Sequence, residues 1–124
     1  MGRRYKEAQV ACSEALKRFN NPHLRLEHLK LAAINRDWKV VLADSDDLLV
    51  RMPKFRPKIM QLRSQALVGL RRYAEAETIL SKTIKDAPEN RELLMERYKL
   101  YTQLGKKDLA EKDAKTIRLL DECL

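Results

Sequence analysis

A short signature recurs along this chain at near-constant spacing, and it decides most of what the chain can fold into. It reads R-R-Y-K-E-A from Arg3 to Ala8, R-D-W-K-V-V from Arg36 to Val41, R-R-Y-A-E-A from Arg71 to Ala76, and G-K-K-D-L-A from Gly105 to Ala110. Counted between third residues, Tyr5 to Trp38 is 33, Trp38 to Tyr73 is 35, and Tyr73 to Lys107 is 34. Fifteen residues beyond Trp38 and Tyr73 stand Pro53 and Pro88; beyond Tyr5 stands Asn20, with Pro22 just after. A unit of that length cannot bury its apolar face alone, so it must stack on its neighbours.

The residues between these marks read as helices. From Tyr73, the side chains Ala76, Ile79, Leu80, Thr83, Ile84 and Ala87 recur at three and four, the period of a one-sided helix. Pro88 ends that run because proline has no N–H and clashes with the preceding turn. Asn90 suits the cap of the next helix, and Gly105 the left-handed residue after its end. Extended along the chain, the pattern predicts an all-α fold of seven helices at 3–19, 22–35, 37–51, 56–69, 72–86, 90–103 and 106–121. Links this short make consecutive helices antiparallel hairpins. The composition agrees: 3 Gly and 4 Pro leave little for the turns of a β fold.

The sequence resembles the tetratricopeptide repeat family, over nearly its whole length. Arg91–Leu124 carries Leu94, Tyr98, Tyr101, Gly105, Ala110 and Ala114; 56–90 carries Ile59, Leu62, Ala66, Tyr73, Ala76, Thr83 and Pro88; 22–55 carries Leu26, Leu29, Ala33, Trp38 and Pro53. Residues 3–21 then stand as the second helix of an incomplete repeat. The resemblance implies one α-solenoid across 1–124, a right-handed superhelix, with a concave groove lined by the first helix of each hairpin. Lys30 and Arg63 depart from it, standing where the family usually has Gly or Ala at the tightest crossing, and Val41 replaces the alanine of the second helix. Trp38 is expected to plug the core between hairpins.

Helical spacing places Leu24, Glu27, Leu31 and Ile34, then Met60, Ser64 and Leu67, then Met95, Lys99 and Thr102 in that groove. The implied function is non-catalytic: a module that holds a peptide or segment of another protein. The family's chaperone-tail clamp is not expected, because Glu27, Leu31, Glu92 and Glu96 occupy places where basic and amide side chains would grip a terminal carboxylate. A second expectation is a self-associating scaffold. The chain starts on a second-type helix and ends on Leu119, Leu120 and Leu124, as a fragment of a longer array or a piece with packed ends would.

The net charge of +8 is concentrated. Between Asp47 and Glu75 there is no acid, while Arg51, Lys54, Arg56, Lys58, Arg63, Arg71 and Arg72 are basic. That stretch makes non-specific RNA binding a third and weaker reading. Base-by-base readout is not expected, because the residues that would carry a code vary among Glu27, Met60 and Met95. No cofactor or metal site is expected. His23 and His28 are five apart, Cys12 and Cys123 stand alone, and Gly2, Gly69 and Gly105 form no phosphate loop. Ser13, Ser45, Ser64 and Ser81 are expected inside helices without a nearby histidine base, and Asp44, Asp46 and Asp47 point to different helix faces. Two cysteines and no apolar leader or span point to a reducing, cytoplasmic setting.

Overall fold

The computed structural model describes residues 2–123; the expectation of an exposed apolar end at Leu124 lies outside them. Seven α-helices follow one another: α1 (Gly2–Phe19), α2 (Pro22–Ile34), α3 (Trp38–Arg51), α4 (Arg56–Gly69), α5 (Tyr73–Asp86), α6 (Arg91–Gln103) and α7 (Lys107–Cys123). No strand occurs among the described residues. A short 3-10 turn, Pro53–Phe55, occupies the link before α4, closed by the Phe55 N–H on the Met52 carbonyl at 3.0 Å.

The helix boundaries follow from local chemistry. Pro22 opens α2, where its missing N–H costs nothing, and Asn21 Oδ1 accepts from the His23 N–H at 2.8 Å. Asn90 does the same for α6, accepting from the Leu93 N–H at 3.1 Å. Three helices end in the same turn. Arg36, Arg71 and Gly105 all take a positive φ. Their N–H groups donate to Ala33, Val68 and Thr102, and the next N–H groups donate to Ala32, Leu67 and Tyr101. Those paired bonds satisfy carbonyls that a helix end would otherwise orphan. Glycine fits this backbone without strain; Arg36 and Arg71 adopt it against the crowding of their Cβ atoms.

Cross-helix hydrogen bonds fix the antiparallel order. Gln9 meets Asn35 while Ser13 meets His28, and Arg91 meets Asp121 while Arg97 meets Asp113. Each helix packs on its neighbours in the chain, and α4 also touches α2 and α6. No other helix pair packs together among the described residues. Thus α2, α4 and α6 lie side by side, and α1, α3, α5 and α7 pack against that set.

The core falls into two clusters that share α4. Leu26, Leu29, Val41, Leu48, Ile59, Leu62 and Ala66 belong to the first. Leu67, Ala76, Leu80, Leu93, Leu94, Leu100 and Ile117 belong to the second, and the half-buried Leu42 packs on both. Val41 is wholly buried. No described residue of α1 is buried.

Trp38 starts α3 and packs against the first cluster, over the last residue of α4. A Cβ built on Gly69 would fall 2.1 Å from Trp38 Nε1, so glycine is what lets the indole lie there. Gly69→Ala is expected to lower stability by about 1–2 kcal/mol, the overpacking cost less the gain in helix propensity. Thermal unfolding checks it: an unchanged midpoint would show that the indole moves aside freely.

Candidate functional site

The surface between the side-by-side helices forms one trough in two parts. Between α2 and α4, a cleft of about 430 Å³ is lined by Lys30, Ala33, Ile34, Lys58, Leu62 and Gln65. Between α4 and α6, a second of about 190 Å³ is lined by Gln65, Val68, Glu96, Lys99, Leu100 and Gln103. Gln65 belongs to both, so the two clefts adjoin at that side chain of α4. The floor is apolar and the rim carries Lys30, Lys58 and Lys99. The one acid of the lining, Glu96, accepts from Gln65 Nε2 at 2.7 Å and Gln61 Nε2 at 3.3 Å.

Of the ten groove residues expected from helical spacing, Ile34 and Lys99 line this trough. Met60, Ser64 and Leu67, all three buried, line neither cleft. The strip of α4 that meets the trough is Lys58, Leu62, Gln65 and Val68. The cause is contact on four sides. Helices α2, α3, α5 and α6 all pack on α4, so its apolar residues run round most of its circumference and no single stripe marks the inside. Leu24, Leu31 and Met95 are half-buried, whereas Glu27 and Thr102 are exposed. Lys30, expected at a tight crossing, reaches outward to Glu27 at 3.4 Å.

A second arrangement lies inside the helices. Ten residues before Trp38, Tyr73 and Lys107 stand His28, Arg63 and Arg97. Each bonds the residue eight beyond the preceding mark: Ser13, Asp46 and Ser81, at 2.9, 2.7 and 3.3 Å. Two also bond the aspartate six beyond their own mark. His28 Nδ1 donates to Asp44 at 2.6 Å, and Arg97 donates to both oxygens of Asp113 at 2.7 and 2.9 Å. His28 therefore clasps α1 and α3, Arg63 clasps α3, and Arg97 clasps α5 and α7. Arg25 also donates to Asp44, at 2.9 Å. The Asp113 carboxylate, by hydrogen bond and charge, holds the Arg97 guanidinium above its ordinary pKa.

Ser13, His28 and Asp44 thus stand in the order of a hydrolytic triad, correcting the expectation that Ser13 lacks a histidine base. Ser13 also borders a cleft with Lys6, Gln9, Val10, Asn35 and Asp37. Yet Ser13 sits inside α1, where backbone N–H groups are held in helix bonds and cannot form an oxyanion hole. On α4 and α6 the histidine's place is taken by Arg63 and Arg97, and arginine cannot act as a base.

No family model, curated protein or solved structure matches this chain. Its reading rests on its own residues.

The basic run is not one patch. Arg51, Lys54 and Arg56 stand where α3 gives way to α4, and Lys58 is on the trough rim. Arg63 turns into the clasp with Asp46, and Arg71 and Arg72 lie at the far end of α4, about 20 Å away. Acids from other segments partner three of the seven bases: Asp47 with Arg51, Asp46 with Arg63 and Glu75 with Arg72. Among the described residues no three His, Cys, Asp or Glu side chains gather as a metal ion requires. Partial burial, aided by Glu27, pushes the Cys12 thiol up. No described helix is long and apolar enough to cross a membrane.

Proposed function

We propose that this chain is a tetratricopeptide-type solenoid segment and a non-catalytic binding module, whose trough along α2, α4 and α6 holds a segment of another protein. The observation that carries the reading is the pair of clefts that adjoin at Gln65 and together run along three first-type helices. The three recurring turns and the threefold clasp support the repeat on which the path is built. The apolar floor offers burial to side chains of a bound segment, and Lys30, Lys58 and Lys99 favour one with acidic residues between them. The Ser13–His28–Asp44 row belongs to the clasp, since its counterparts hold the same helices together with arginine. A self-associating scaffold is the second reading. It is supported by the exposed Tyr5, Val10 and Phe19 on α1 and by Leu119 on α7.

The test is a selection of random displayed peptides on the immobilised chain. Sequences that alternate apolar and acidic residues should be enriched. They should bind the Ile34→Asp and Lys58→Glu variants at least about tenfold more weakly, the order expected when one well-placed contact is lost. No enrichment, or equal binding to both variants, would remove the trough from consideration. Both side chains are exposed, so the fold should be unaffected.

A further inference from the structure

Two acid-free segments of the sequence meet at one corner of the molecule. One runs from 15 to 26 and carries Lys17, Arg18 and Arg25; the other runs from 48 to 74 and begins with Arg51, Lys54 and Arg56. Arg51 joins them, its guanidinium donating to the Asn20 carbonyl oxygen at 3.0 Å and to Asn20 Oδ1 at 3.3 Å. The ends of α1 and α3 are therefore neighbours, and the link to α4 follows directly.

The same corner holds apolar side chains out in water. Phe19, the last residue of α1, is 63% exposed; Val50, in the last turn of α3, is 81% exposed; Phe55, in the link, is 38% exposed. Scattered single apolar residues need no explanation, but three around one junction do. Two of the bases there are available. Lys54 and Arg56 form no ion pair among the described residues, and Arg18 lies over the Phe19 ring at 5.5 Å. The acids nearby are already engaged, Glu14 with Lys17 at 3.2 Å and Asp47 with Arg51 at 3.2 Å and Arg25 at 3.3 Å.

Apolar tips ringed by bases suit the boundary between lipid headgroups and acyl chains, where tips enter the apolar layer and bases meet anionic headgroups. A nucleic acid would use the phenyl rings as stacking platforms but gains nothing from an aliphatic Val50. We propose that this corner docks on an anionic lipid bilayer, with Phe19, Val50 and Phe55 entering the headgroup boundary and Lys54 and Arg56 facing the anionic headgroups. The inference does not rest on the trough, whose lining comes nearest the corner at Lys58.

The experiment is sedimentation of the full chain with phosphatidylcholine vesicles, with and without phosphatidylserine. Binding is expected to the phosphatidylserine vesicles and should weaken as salt rises. Lys54→Glu with Arg56→Glu should weaken it by about fivefold or more per base. Phe19→Ser with Val50→Ser should weaken it about tenfold or more, and the trough variant Lys99→Glu should leave it unchanged. Helix content measured by circular dichroism confirms that each variant is folded, and Val50→Ser alone replaces any pair that is not. The proposal is overturned if phosphatidylserine vesicles are not bound, or if binding survives both corner variants. It is also overturned if single-stranded RNA is bound through these residues while vesicles are not.

Discussion

Asp113→Ala is expected to destabilise the chain by about 2–3 kcal/mol, measured as a shift in the urea midpoint with an unchanged slope. The alanine would remove both acceptors of Arg97. The Arg97 side chain is only 20% exposed, so its guanidinium would be left with the Ser81 hydroxyl at 3.3 Å and the face of Tyr101 at 5.6 Å. Losing one partner of a mostly buried pair costs more than the pair contributes, because the remaining charge stays desolvated. The remaining exposure of Arg97 sets the expected loss below that of a fully buried pair. A double change, Arg97→Met with Asp113→Leu, should recover much of it, since apolar side chains of similar volume need no partner. A double variant no more stable than Asp113→Ala would show that the clasp aligns the helices rather than merely pairing charges.

Leu29→Ala is expected to have the largest effect of any single truncation considered, about 3–4 kcal/mol. Leu29 is wholly buried in the first cluster, on the same helix as the clasping His28. Close packing on three sides leaves little freedom to fill the space a missing isobutyl group would leave. Leu24→Ala, at a half-buried place on the same helix, should cost markedly less. Chemical denaturation of the two variants side by side checks both the size and the order of the effects; equal losses would contradict the division between core and surface of α2.

The helices were legible because their ends carry their own chemistry. Proline, asparagine and the recurring turn residues act within a few positions, so all seven expected helices lie within about two residues of those observed. Which way each helix faces was less legible. On α2, buried Leu26 and Leu29 and exposed Glu27 still mark an inside and an outside. On α4 the contact with four neighbours removes that contrast. Met60, apolar and at a spacing that suits the groove, therefore packs inside with nothing in the pattern to mark it. The clasp is hard to read from sequence for a different reason. Basic side chains are ordinarily assigned to the surface, and the partners of His28, Arg63 and Arg97 are 15 to 17 residues away in sequence. The signal was nevertheless present, as a base ten residues before each of three marks.

The way α1 is attached fixes the order in which this molecule comes apart. With no buried residue among those described, α1 is held on α2 chiefly through polar contacts, Gln9 with Asn35 and Ser13 with His28, and at its end by Arg51 on Asn20. Water can replace such bonds group by group, whereas α4 is shared between two cores and cannot leave without breaking both. The first helix is accordingly expected to open over α2 before the rest unfolds, and the middle of the chain to lose its order last, which hydrogen exchange faster in α1 than in α4 would show.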